Sequence, residues 1–169
     1  LKEAVDNAYD LASLREPDKD WAGLPEGPFD YPFKVDFFEN TALVSPDARA
    51  NGLLAVLSYG GNSYSAAGTL ANSAASIVVA NSHQVRAACN TTWAKFTILY
   101  TGENSSGYFE DFKRSFAELD IEGSMRCALE KAQASANPDK SIPAGKYTVI
   151  LEEECLAQMM MFLSWLGFS

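Results

Sequence analysis

The sequence predicts an α+β fold, an antiparallel meander sheet covered by helices. Three observations carry this. Apolar and polar residues alternate in several short runs between Tyr64 and Phe116. The connections between those runs are short, which favours antiparallel neighbours. Segments with helical spacing flank the strands on both sides, so helices are available to cover the sheet.

The elements follow in chain order. Lys2 to Leu14 reads as a helix, because Ala4, Ala8, Leu11 and Ala12 fall on one stripe with Val5 beside it. The next stretch, REPDKDWAGLPEGPFDYPF, is rich in Pro, Gly and Asp. Each proline pushes its predecessor away from helix, so a long extended segment is expected. Trp21, Phe29, Tyr31 and Phe33 are expected to pin it onto a core. SPDARANGLLAVLSYGG reads as a helix with Ser45 as its cap, Pro46 at the first helical position and Asp47 at the positive end of the dipole. Ala50, Leu53, Leu54 and Leu57 form its apolar face, and Gly60-Gly61 end it.

Strand patterning then takes over. The predicted strands are SYSAAGTL, ASIVVAN, VRAACNTT, AKFTILYT and SGYFEDFKR, with breaks at Asn72-Ser73, Asn81–Gln84 and Gly102–Gly107. In AKFTILY, Ala94, Phe96, Ile98 and Tyr100 alternate with Lys95, Thr97 and Leu99, the mark of a sheet with one buried face. Asp120 is placed to cap the helix IEGSMRCALEKAQASA, in which Ile121, Met125, Ala128 and Ala132 repeat at helical spacing. NPDKSIPAGK reads as a loop and YTVIL as a short strand. EEECLAQMMMFLSWLG reads as a last helix with its glutamates at the favourable end. Leu156, Met160 and Leu163 are expected to form its core face.

Composition bounds the function classes. With 169 residues and 47% hydrophobic content, the chain can build a core without staples. A formal charge of -9 repels phosphate backbones and argues against direct nucleic-acid binding. Cys89, Cys127 and Cys155 are odd in number and widely spaced, which fits neither a disulfide framework nor a zinc signature. Buried thiols in a reducing compartment are expected, and with no secretory signal visible the expected location is the cytoplasm. CLAQMMMFLSWLGF is too short to span a bilayer, so no membrane association is expected. The sequence lacks an initiator Met and stops straight after a helical pattern, so a fragment of a longer protein is expected.

His83 is the one histidine. Its neighbours Ser82 and Gln84 offer no carboxylate to orient an imidazole, and adjacent Ser and His make no triad, so a turn residue is expected. A single histidine cannot build a His-Glu-x-x-His zinc helix. Glu152, Glu153 and Glu154 are consecutive and point in different directions, so they are not expected to converge on one ion. YGGNSYSAAG and TGENSSG lack the strand–turn–helix context of a phosphate cradle. The Met159–Met161 run reads more simply as core than as a soft binding surface. The residues therefore name no catalytic residue, no metal ligand and no cofactor-binding residue.

One ordered set of motifs does resemble a known family. SPDARA opens a helix, AAGTL leads a strand, IVVANSHQV crosses a hairpin and SSGY follows a meander. DIEGSMRCALEKAQAS and IPAGKYTVILEEECLAQMMMFLSWLGFS complete the series. Together, from about Ser45 onward, they resemble the TldD/PmbA family, long labelled modulators of DNA gyrase. The resemblance implies residues 1–40 as an N-terminal helix and extended segment. It implies residues 41–169 as the family's α/β domain, with a C-terminal β-rich domain absent. In that family the TldD member carries a zinc-binding His-Glu-x-x-x-His helix and acts as a peptidase in a heterodimer. The PmbA member, also called TldE, lacks those ligands and is the partner subunit.

The zinc helix would fall among Met159 to Phe168, where this sequence has no histidine. The resemblance thus implies a zinc-free, PmbA-like chain, with zinc expected only in a TldD-type partner. Gln84 departs from the family's hairpin, which usually has Gly there; it must take a positive φ or change the turn. The function implied is a non-catalytic, scaffolding or substrate-binding part of a zinc metallopeptidase assembly acting on peptides or small unfolded proteins. Expected partners are a TldD-type catalytic subunit or a second copy, and a peptide substrate. Two alternatives stand beside it: a self-sufficient hydrolase using Cys89 or Ser82 with His83, and a protein–protein modulator of DNA gyrase.

Overall fold

The structure is a computed structural model that describes residues 1–31, 35–137 and 141–167. Its elements are α1 (Lys2–Ser13), β1 (Val35–Asp36), α2 (Glu39–Ala42), α3 (Pro46–Tyr59), β2 (Ser65–Ala80), β3 (Arg86–Thr101), β4 (Ser106–Lys113), a 3-10 turn (Phe116–Glu118), α4 (Ile121–Ala134) and α5 (Glu153–Gly167). The chain divides into two compact units. The first comprises Leu1–Pro32 and Val78–Ala88, and the second Phe33–Ile77 and Cys89–Ser169.

The predicted α+β class is observed. β3 is the centre of the sheet, with β2 on one edge. β4 runs antiparallel along the other, from Ala94 opposite Lys113 to Thr101 opposite Ser106. The two residues of β1 pair parallel with Asn90 and Thr91 on β3. Asn72-Ser73 does not break a strand: Ser65–Ala80 and Arg86–Thr101 each run unbroken for 16 residues. Small polar residues tolerate extended backbone when both of their faces are served. Here the Asn72 side chain donates to the Thr41 carbonyl at 2.7 Å and accepts from Arg49. YTVIL forms no strand.

Alternation along β3 sets the core of the second unit. Ala94, Phe96, Ile98 and Tyr100 are fully buried. Val56 from α3, Leu70 from β2, and Met125 and Ala128 from α4 pack with them. The Tyr100 hydroxyl donates to the Val56 carbonyl at 3.3 Å, which satisfies a phenol that would otherwise be stranded. Burial, with the neighbouring Tyr59, pushes the Tyr100 pKa up.

The predicted caps form. Ser45 Oγ accepts from the Ala48 N–H at 3.1 Å, and Asp120 Oδ1 accepts from the Gly123 N–H at 2.9 Å. α4 lies on β4 through small residues. A Cβ at Gly107, within β4, would collide with the Ala128 carbonyl and the Ala132 amide, so glycine there is a packing requirement. Two buried threonines tie the connections together. Thr41 Oγ1 accepts from the Phe116 N–H at 2.8 Å. Thr92 Oγ1 accepts from the Phe38 N–H and donates to the Arg114 carbonyl, both at 3.0 Å.

Three packing expectations fail. Trp21, Phe29 and Tyr31 are exposed rather than pinned to a core; Phe33 lies outside the described residues. Phe29 and Tyr31 instead meet edge to face, with ring centroids 5.8 Å apart. α5 has no buried residue, and Leu156, Met160 and Leu163 are each about half exposed. Apolar spacing identifies a helix stripe but not what covers it. The thiols are not buried either: Cys89 and Cys127 are half-buried and Cys155 is exposed.

Gly107→Ala is expected to destabilise the chain by about 1–3 kcal/mol, the usual cost of overpacking. Denaturant unfolding measures it, and an unchanged midpoint would contradict the close approach of α4 to β4.

Candidate functional site

His83 sits where its sequence neighbours place it, in the turn between β2 and β3. Asn81 organises that turn. Its N–H donates to the Val85 carbonyl at 3.1 Å, and its Oδ1 accepts from the His83 and Val85 amides at 2.9 and 3.1 Å. Its Nδ2 donates to the Pro25 carbonyl at 2.9 Å, and the Gly27 N–H donates to the His83 carbonyl at 2.7 Å. Gln84 takes the positive φ, 68°, that glycine would adopt without strain. His83 Nδ1 does find a carboxylate, Glu26 Oε1 at 3.7 Å, which sequence neighbours alone could not reveal. That separation is beyond hydrogen-bond reach and both side chains are exposed, so the pair contributes little. Cys89 lies within β3, where its Sγ meets the Asn90 carbonyl at 3.8 Å.

The more structured candidate lies on the outer face of the sheet. Because side chains alternate along a strand, β4 sends Phe109 to the core and Tyr108, Glu110 and Phe112 to the opposite side. There a groove with a cavity volume of about 340 Å³ is lined by Glu110, Phe112, Glu153, Glu154, Ala157 and Met161, among others. Its floor is β4 and its wall is α5.

The polar groups around the groove are paired. Glu110 Oε2 accepts from the Tyr108 hydroxyl at 2.7 Å and meets Lys95 Nζ at 2.8 Å. Burial alone would raise the Glu110 pKa; the hydrogen bonds from Lys95 and Tyr108 and the lysine charge outweigh it and hold the carboxyl below its ordinary value. The Tyr108 phenol is pushed up to about 12 by burial, by its bond to Glu110 and by the charges of Glu110 and Glu154. It therefore remains a protonated donor at neutral pH.

Lys131 on α4 meets Glu152 at 2.6 Å and Glu154 at 3.5 Å. Burial would lower its pKa, but the two carboxylates outweigh that and raise it. Glu152 precedes the helix and Glu154 is inside it, so a change of backbone conformation lets two of the three converge on one ammonium. Lys131 also stands 5.2 Å over the Phe109 ring. At the other end, Trp93 stacks on Phe112 at 6.0 Å, with the Arg114 guanidinium 6.0 Å from the same ring.

The titratable groups around the groove are already engaged with one another. Glu110 is an ionised acceptor already held by two donors, and Tyr108 keeps its proton. Among the described residues no group of three His, Cys, Asp or Glu side chains is placed to hold a metal ion, so those residues do not fit zinc. Among the described residues no helix is long and apolar enough to cross a membrane.

Two substitutions follow from this geometry. Gln84→Gly is expected to leave stability unchanged or slightly higher, whereas Gln84→Val is expected to lower it by roughly 1–2 kcal/mol, because a branched side chain resists positive φ; thermal melts separate the two. For Glu110 the folded pKa lies below the unfolded one. Its contribution is therefore complete above the ordinary glutamate pKa and is lost as pH falls through the folded value. Glu110→Gln is expected to flatten that part of the acid-unfolding curve, and an identical pH dependence in both proteins would show that the Lys95–Glu110–Tyr108 cluster does not stabilise the fold.

No protein-family model and no curated protein matches the sequence. Solved structures do match the fold. TldE from Thermococcus kodakarensis is similar with a TM-score of 0.55 and 24% identity, covering 78% of this chain and 31% of that one. A protein from Thermotoga maritima described as a "putative modulator of a DNA gyrase" is similar with a TM-score of 0.64 and 14% identity, covering 85% of this chain and 34% of that one. The chain spans about a third of the length of either protein. Its long hairpin, flanking strand and covering helices are therefore a TldD/PmbA-type fold, the one that the motif order anticipated.

Proposed function

We propose that this chain is a PmbA-like, zinc-free relative of the TldD/PmbA proteins, working in the cytoplasm as a non-catalytic part of a zinc metallopeptidase assembly. Its role is to scaffold a catalytic partner of TldD type, or a second copy, and to help hold a peptide or small unfolded protein. The observation that carries this reading is the likeness in fold to TldE. The composition of α5 agrees with it: EECLAQMMMFLSWLG holds no histidine where the family resemblance places the metal helix. Zinc in a partner would polarise the scissile carbonyl and activate water. This chain would contribute surface. The paired, ionised groups around the β4–α5 groove suit holding a substrate better than attacking it.

The test takes the protein in its longest natural form and measures bound zinc and peptide cleavage, alone and mixed with a zinc-bearing TldD-type protein. Alone it is expected to bind no zinc and cut nothing; the mixture is expected to cut. Zinc-dependent cleavage by the protein alone would overturn the proposal. Activity that disappears in Cys89→Ala would favour an independent hydrolase instead.

A second reading is favoured by the description of the Thermotoga maritima protein. It is a protein–protein modulator of DNA gyrase, compatible with an acidic chain because it needs no DNA contact. Affinity capture against purified gyrase subunits tests it, and failure to retain either subunit removes it.

A further inference from the structure

α4 and the start of α5 meet through one ammonium. The α4 side of that contact is fixed, because Ala128 and Ala132, on either side of Lys131 along the helix, are fully buried. Lys131 stands over the Phe109 ring and meets Glu152 at 2.6 Å and Glu154 at 3.5 Å. The α5 side is held far less firmly. No residue of α5 is buried. Among the described residues, the ion pairs made by α5 and by Glu152 just before it all run to Lys131. Residues 141–152, which lead into the helix, form neither helix nor strand. Ile142, Val149 and Ile150 in that link are exposed, so the link does not anchor α5 either. Between α5 and β4 lies the groove rather than a filled interface. A helix of 15 residues is marginal in water by itself, so its order depends on what holds it.

We propose that α5 is a strap closed by an ionic clasp: Lys131 holds Glu152 and Glu154, and release of the clasp lets the helix leave β4 and opens the groove. The direction of the salt effect sets such a clasp apart from apolar packing. Dissolved ions screen charges that reach solvent, and the Glu152 side chain is well exposed. Salt does not weaken apolar burial in the same way. Ionic strength is therefore the control: the strap is closed at low salt and opens as salt rises. This inference makes no use of the peptidase reading, so the two stand or fall separately.

The experiment measures amide hydrogen exchange of the 169-residue chain at about 0.02 M and about 0.5 M sodium chloride, which shortens the screening length from roughly 20 Å to about 4 Å. Exchange along Glu153–Gly167 is expected to quicken roughly three- to tenfold at the higher salt, while Ala94–Thr101 is unchanged. Lys131→Met keeps the length of the side chain and removes its charge. It is expected to exchange at low salt as the parent does at high salt, and to lose the salt response. Glu152→Gln/Glu154→Gln is expected to do the same, and combining it with Lys131→Met is expected to add nothing, since all three side chains serve one clasp. Hydroxyl-radical footprinting reads the groove itself. Phe112 and Met161 are 49% and 46% exposed, so full opening is expected to raise their labelling by up to about twofold.

An α5 whose exchange is indifferent to salt in the parent overturns the proposal. So does a Lys131→Met variant whose α5 exchanges like the parent's, or one in which α5 loosens only in step with Ala94–Thr101, which marks a general loss of stability. Faster exchange in α5 with unchanged labelling of Phe112 and Met161 also overturns it, because the helix would then fray without opening the groove.

Discussion

The second unit depends on one row of side chains. Ala94, Phe96, Ile98 and Tyr100 leave the inner face of β3 with no accessible surface. Each neighbour is placed by what it must add to that row. α3 brings Val56, whose carbonyl also receives the Tyr100 hydroxyl. α4 brings Met125 and Ala128, and can come close only because β4 offers Gly107. A strand holding four fully buried side chains in period two leaves its other face to different work.

That other face is built from paired charges and stacked rings. Lys95, Tyr108 and Glu110 satisfy one another, and Lys131 reaches from α4 to two glutamates at the start of α5. These contacts fix where α5 begins. They do not cover its apolar surface, so the helix stands beside the groove with its methionines and Trp165 in reach of solvent. A helix that is apolar on most sides is ordinarily enclosed by other protein. The proteins of similar fold are about two and a half times as long as this chain.

Much of the fold was legible in the sequence because its signals are local. Ser45-Pro46-Asp47 and Asp120 are helix starts whose chemistry acts within three residues, and both form. The alternation around Phe96 named the buried face of β3. The hairpin at Asn81–Gln84 was readable because a polar tetrad between apolar runs has few other uses. What failed depended on distant partners. Asn72-Ser73 looked like a break because nothing nearby reveals that Arg49 and Thr41 serve the Asn72 amide. The candidate site was hidden for the same reason: Lys95, Glu110, Lys131 and Glu154 come from four elements. Knowing the β3–β4 register would have exposed the Lys95–Glu110 pair, whereas the reach of Lys131 to Glu152 needs the fold itself.

The division of β4 into a face that packs on the core and a face that lines the groove has an evolutionary consequence. Substitutions on the inner side are tested against stability, since Phe109 contacts a filled core and Gly107 touches helix backbone. Substitutions on the exposed side chains of α5 meet no such test, because the helix has no buried residue. A lineage with this architecture can therefore exchange residues along α5 at little risk to folding. One scaffold can then carry different outer surfaces.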